Sequence, residues 1–312
     1  MGGLLGELGK KLAERWLSLL VLPGAVYLAM AVSARTLGHA HPFDLARLTA
    51  QVTAWAKAPA AATVGGQVVL LAAVLAGAAA VGLAAQGLGS LVERLTLAAG
   101  WRAWPPPFRR LADWRVTRRQ EAWRTQHHSY HQQLELADVA RRSGIRLDPA
   151  ERHAAYRAWT RIAAELPERP TWSGDRLHAA SVRLERDCHL DLATVWPHLW
   201  LQLPETVRAE ITTARQALTR ATTLGGWALL YEPLAIWWWP ASPLATVLAI
   251  TAWQRTRNAT ETHALLLEAA TRLHAGDLAR HLGLEHTGPL TRPIGDALTS
   301  LLHTQPPLSP DP

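Results

Sequence analysis

The sequence predicts an all-α integral membrane protein. It is expected to have about four transmembrane helices, two N-terminal and two in a C-terminal hairpin, with a helical cytoplasmic domain inserted between the pairs. Three observations predict this. Residues 222–253 carry no formal charge except Glu232, whereas a bilayer core needs roughly 20 apolar residues per helix. Residues 16–34 and 64–91 are two further uncharged runs. Between the runs, apolar residues recur at helical spacing and no stretch alternates as a strand would.

Composition agrees with a bilayer. The chain has 312 residues, 49% of them hydrophobic, with a net charge of +7. Its aromatic residues are mostly tryptophan, 15 Trp against 4 Tyr and 2 Phe, and tryptophan favours membrane–water interfaces. Arginine dominates over lysine, and alanine and leucine abound, a pattern read as the GC bias typical of actinobacteria. The basic residues flank apolar segments, so anionic lipid at the cytoplasmic face accounts for them and nucleic acid is not expected. The single cysteine, Cys188, excludes an internal disulfide and a multi-cysteine metal site.

In chain order, residues 1–104 read as the N-terminal membrane region. Residues 1–15 are a short amphipathic start with Lys10, Lys11 and Arg15. The first span, at about 16–34, is read as retained, although a signal peptide cut after Ala34 is the rival reading. Within it Pro23-Gly24 should bend the helix and let another approach. Residues 44–57 place Leu45, Leu48, Val52 and Trp55 on one face, as a short helix lying on the membrane would. The second span, at about 64–91, carries Gly65, Gly66, Gly77, Gly82, Gly87 and Gly89, small residues that let helix backbones meet in lipid. Arginines crowd residues 94–124, so the positive-inside rule puts that side, and both termini, in the cytoplasm.

Residues 105–221 read as the helical cytoplasmic domain. A long helix over 108–142 should stop at Ser143-Gly144. Asp148-Pro149 should start another, running to about Leu166. Ser173 or Asp175 is expected to cap the next helix, to about Arg186. A helix over 190–203 contains Pro197, and Pro204-Glu205 should start one that runs into the membrane hairpin. Residues 222–254 are that hairpin, with its tight turn at Pro240-Ala241-Ser242-Pro243 and Trp237, Trp238 and Trp239 at the far interface. Residues 255–304 read as C-terminal helices, one over 259–282 capped by Gly283 and a short one over 293–303. Residues 305–312 read as a disordered tail.

Four groups of residues are candidates for chemistry. Glu232 is an ionisable residue in an apolar run, a position that often marks an ion or proton path. His127 and His131 stand at i, i+4 with Glu135 beyond, a spacing that could hold a metal, although a long polar helix usually leaves such histidines solvated. Cys188-His189 lacks any triad order. The segment 169–204 contains PTWSGDRL, with Asp175, and DLATVWPHLWLQLP, whose Trp196 and Trp200 belong to an apolar aromatic stripe. That stripe reads either as a domain core helix or as a helix packed on the membrane surface. No catalytic constellation emerges, and no cofactor is expected.

The PTxxGDRL stretch, the DLxxxWPxLWxxLP stretch and the helix running into WWWP resemble a widespread, uncharacterised bacterial family of multi-pass inner-membrane proteins, chiefly actinobacterial. The likeness covers roughly residues 167–302, with a looser one at Leu22-Pro23-Gly24. It implies a topology and an inner-membrane location, and it assigns no activity. Many relatives have an aliphatic residue where this chain has Glu232. The expected function is a membrane-anchored helical interaction or scaffold protein with an unknown protein partner or a homo-oligomeric state. The alternative is a small oligomeric transporter or channel with Glu232 in the membrane path.

Overall fold

The computed structural model describes residues 21–145, 148–285 and 287–303, apart from the side chains of Ala60 and Ala61. The amphipathic start, the first part of the 16–34 run and the proline-rich tail lie outside those residues. Every regular element among the described residues is helical. The chain divides into two units. Unit 1 comprises Met1–Glu93 and Thr219–Arg255, and unit 2 comprises Arg94–Leu218 and Thr256–Pro312.

Unit 1 is built on α1 (Leu22–Leu37), α2 (Leu45–Ala56) and most of α3 (Val64–Leu97). The end of α8 (Glu205–Tyr231) and the start of α9 (Ala241–His281) complete it. Glycines set its helix contacts. A methyl added at Gly24 of α1 would overlap the Ala78 carbonyl of α3, and one at Gly226 of α8 would overlap the Ala85 carbonyl. One at Gly89 would lie 2.7 Å from the Thr223 Cα. Such close approach is how helices associate where solvent drives no burial. The predicted glycine face is therefore split: Gly77, Gly82 and Gly89 are packed, whereas Gly65 and Gly87 face open space.

The hairpin exists, but its turn differs from the expected one. Helix α8 ends at Tyr231, a 3-10 turn covers Glu232–Ile236, and α9 starts at Ala241. Pro233 cannot continue the α-helical ladder. Ala241-Ser242-Pro243 form the first turn of α9, where the missing proline N–H costs nothing. The turn consumes residues 232–240, leaving residues 222–231 and 241–253 of the apolar run for the two arms. At 1.5 Å per residue the arms are about 15 and 20 Å long, against a core of about 30 Å. Among the described residues, one helix is long and apolar enough to cross a membrane, α3, and α1 is a shorter apolar helix.

The turn is tied to the loop after α1. Trp238 Nε1 donates to the Pro42 carbonyl at 2.9 Å, His39 Nε2 contacts the Ile236 carbonyl at 2.8 Å, and Phe43 meets Trp239 edge-on. Helix α2 forms as expected, with Asp44 accepting from Arg47 N, and buries none of its residues.

Unit 2 contains α4 (Pro106–Arg142), α5 (Pro149–Ile162), α6 (Trp172–Cys188) and α7 (Leu192–Gln202). The first part of α8, most of α9, and α10 (Arg292–Leu302) join them. Gly144, at φ +72°, ends α4 after Ser143, and Asp148 caps α5 through Ala150 N. Helix α5 stops at Ile162, short of Leu166. The cap of α6 is Thr171, not Ser173 or Asp175: its Oγ1 accepts from Gly174 N at 3.2 Å and donates to the Thr96 carbonyl at 2.6 Å. Asp191 caps α7. The core gathers Leu190, Val195, Leu199, Leu203, Ile211, Leu278 and Leu298 from α6 to α10. The separate helix expected over 259–282 is instead the continuation of α9, because residues 254–258 contain no breaker. Gly283, at φ +82°, follows its end as predicted.

Candidate functional site

Asp175 sits in the first turn of α6, 5% exposed. Its Oδ1 accepts from the backbone N–H of Glu168 at 2.9 Å and of Arg169 at 2.7 Å. Arg119 Nη1 lies 2.7 Å from Oδ2. That guanidinium is hydrogen-bonded elsewhere, to the Arg169 and Ile162 carbonyls at 3.0 and 2.9 Å. The Arg119–Asp175 contact is thus a buried ion pair at hydrogen-bonding distance, made by a guanidinium that also holds two carbonyls. Burial pushes the Asp175 carboxyl above its usual range, against the pull of Arg119 and the two amides.

The surroundings of Asp175 are equally committed. Gln120 donates to the Pro167 carbonyl, Trp101 to the Glu168 carbonyl and Trp123 to the Ala163 carbonyl. A methyl on Gly174 would overlap the Leu97 carbonyl. The PTWSGDRL text therefore encodes a structural knot. Thr171 caps, Gly174 permits close contact, Asp175 fastens the 167–170 linker, and Arg176 pairs with Glu261. Trp172 lies under the Arg257 guanidinium, 4.1 Å from its ring centroid, a cation–π geometry.

Trp196 and Trp200 have a different setting. At i, i+4 on α7 they project together, with ring centroids 5.8 Å apart. They line an open cleft of about 860 Å³ between α6, α7, α8 and α9. Leu192, Pro197, Ile211 and Leu267 supply its apolar wall, and Ser181, Thr212, Arg215 and His263 its polar points. A second depression, lined by Glu205, Arg208 and Thr213 among others, also includes Trp200. Ser181 Oγ is engaged with the His178 carbonyl at 2.7 Å. His263 Nδ1 is buried without a partner among the described residues, and burial first, then Arg215, lowers its pKa. The cleft offers apolar surface and hydrogen-bond donors, the makings of recognition.

The remaining candidates separate. Glu232 is exposed in the 3-10 turn that closes the hairpin, at the end of α8 and not within a helical arm. His127 and His131 do meet, Nε2 to Nε2 at 3.1 Å, and His127 stacks on Trp123. No group of three His, Cys, Asp or Glu side chains suited to a metal ion occurs among the described residues. Cys188 is buried, and burial raises its pKa. His189, in the left-handed region at φ +52°, turns to Asp296 at 3.0 Å.

Sequence reasoning passed over Arg119, Glu261, Arg215 and His263. Arg119 is one arginine among many in α4, and no local pattern marks it. Glu261 had a signal. Residues 176, 183 and 187 carry charges at the same spacing as 261, 268 and 272, with opposite signs at each position. Comparison with family models, curated proteins and solved structures returned no match.

Proposed function

We propose that the protein is a membrane-anchored helical interaction protein. Unit 1 holds it in a bilayer, and the Trp196–Trp200 cleft of unit 2 receives an amphipathic helix of a protein partner. The observation that carries the anchor is the uncovered surface of α3. Val64, Val68, Val69, Leu71 and Val74 are all more than half exposed, and apolar patches of that extent on a water-soluble monomer are rare. Exposed Trp237, Trp239 and Phe43 at the hairpin turn suit an interface. In this reading α3 crosses the membrane, α1 and the shorter apolar hairpin arms pack against it within the bilayer, and unit 2 faces the cytoplasm of a bacterial cell.

The cleft supports the second half of the reading. Tryptophan and arginine dominate the energetics of protein interfaces, and a groove walled by Trp196, Trp200, Leu192 and Leu267 fits the apolar face of a helix. Arg208, beside Trp200 in the neighbouring depression, favours an acidic flank on that helix. Asp175, by contrast, is consumed within the fold.

A photo-crosslinking residue at Ala193 or Thr212, on the cleft's lining, tests this in cells. The expected result is one reproducible protein adduct that Trp200→Ala abolishes. Adducts equally abundant after Trp200→Ala would overturn the cleft as the contact. A transport role would need Glu232 in a membrane path, and its exposed place at the turn lends that alternative no support.

A further inference from the structure

We propose that the first three turns of α4 form a face for anionic lipid headgroups. The inference rests on the membrane-anchored reading above and concerns a surface remote in sequence from the cleft residues. Between residues 98 and 120 stand Arg102, Arg109, Arg110, Arg115, Arg118 and Arg119, against the single acid Asp113. Arg119 is turned inward to Asp175.

The helix has two sides. Ala112 and Val116 are buried in a small cluster with Ala98, Trp101 and Trp104. Away from that cluster Phe108, Leu111 and Trp114 are exposed, each by more than half. At about 100° per residue, Arg115 and Arg118 stand within roughly 40° of Leu111, whereas Asp113 lies about 160° away. The exposed stripe therefore interleaves Arg115 and Arg118 with Phe108, Leu111 and Trp114, the two arginines standing between the outer rings. The Arg118 guanidinium lies over the Trp114 ring, 5.5 Å from its centroid.

Lipid is the occupant this arrangement favours. Apolar side chains interleaved with arginines, with Asp113 turned away, match a helix lying in the interface, whose apolar side chains enter the acyl boundary while the long arginines reach the headgroup phosphates. The chain between the end of α3 at Leu97 and the start of α4 at Pro106 is eight residues, a reach of at most about 28 Å. A helix that follows a membrane span by so short a tether starts close to the bilayer surface.

The test uses the full chain carrying Cys188→Ala, with a nitroxide at Leu111→Cys or, as the control, at Asp113→Cys. Each is reconstituted in phosphatidylcholine vesicles with or without phosphatidylglycerol. The readout is collision with oxygen and with a water-soluble nickel chelate. With phosphatidylglycerol, the label at 111 should lose about tenfold in nickel accessibility relative to 113 and gain in oxygen accessibility, as an in-plane helix requires. Equal nickel accessibility at 111 and 113, in chains that still float with vesicles in alkaline carbonate, overturns the lipid face and leaves the anchor intact. Protection at 111 that ignores phosphatidylglycerol, or that occurs only in native membranes, also overturns it; the latter would make the stripe a protein contact. Failure to float overturns the anchor reading, and this inference with it.

Discussion

Arg176 grips Glu261 at two points, Nε to Oε2 at 2.6 Å and Nη2 to Oε1 at 2.8 Å. The same offset of 85 residues recurs along the two helices. Arg183 Nη2 meets Glu268 Oε2 at 2.6 Å, and Arg272 Nη2 meets Asp187 Oδ2 at 2.6 Å. Because both members advance together, α6 and α9 run parallel and in register within unit 2. Charges run Arg, Arg, Asp on α6 against Glu, Glu, Arg on α9. A slip of four residues would set Asp187 against Glu268 or Arg183 against Arg272, like against like, so the ladder fixes alignment as well as adding stability.

The first pair is asymmetric, and so are its mutants. Arg176 is 8% exposed and Glu261 41%. Glu261→Ala leaves a guanidinium buried without its carboxylate and should cost about 3 kcal/mol. Arg176→Ala leaves a carboxylate that water can reach and should cost about 1 kcal/mol. Thermal unfolding of the detergent-solubilised chain, followed by circular dichroism, measures both; equal losses would contradict the assigned asymmetry.

Asp175→Asn should destabilise unit 2 by about 2 kcal/mol, since Arg119 loses its nearest counter-charge and the amide nitrogen brings unwanted hydrogens. Arg119→Gln should do likewise. The two together should cost less than the sum of the singles, because each breaks the same contact. Partner crosslinking by the surviving folded protein should be unchanged, and this separates a fastening role from a binding one.

Small-to-large changes sort the glycines of unit 1. Gly24→Ala and Gly226→Ala force apart backbones that touch and should each cost about 1–3 kcal/mol. Gly65→Ala and Gly87→Ala meet nothing and should leave stability unchanged or raise it by a few tenths, to about 1 kcal/mol. The melting temperature in detergent, monitored by size-exclusion chromatography after heating, distinguishes the two classes.

Unit 2 should lose stability as pH falls below the usual histidine value of 6.5. Burial lowers the pKa of His263, with Arg215 adding to the effect, and burial lowers that of His127, with His131 and His128 adding. The unfolded chain therefore takes up these protons first, near pH 6.5, while the folded chain resists until lower pH. Stability is whole above 6.5 and declines as pH drops toward the folded values. Chemical denaturation between pH 7.5 and pH 5 measures the slope, and His263→Gln should flatten it. A slope unchanged by that substitution would assign the loss to other groups.

Much of the fold was legible because helices announce themselves locally. Asp148 sits where a carboxylate caps best, and Gly144 and Gly283 take the positive φ that ends α4 and α9. Apolar spacing and proline position then marked most boundaries within a few residues. The close approach at Gly24 was also legible, because glycine in an apolar helix has few other uses.

What tertiary structure decided is the meaning of those residues. Composition could not say whether Asp175 caps a helix or fastens a linker, because its partners Arg119, Glu168 and Arg169 are brought together by folding. It could not say that Glu232 lies in a 3-10 turn, since an apolar run shows its total length and not where the chain reverses. Nor could it grade the stripe: Leu199 becomes fully buried, whereas Trp196 and Trp200 pack partly buried against the same core and line a cleft with their remaining surface. Helix propensity, capping and hydrophobic periodicity are properties of neighbouring residues and are written in the sequence. Which face is covered, and by what, depends on contacts between segments up to two hundred residues apart, such as Tyr27 with Leu230, and those exist only once the chain has packed.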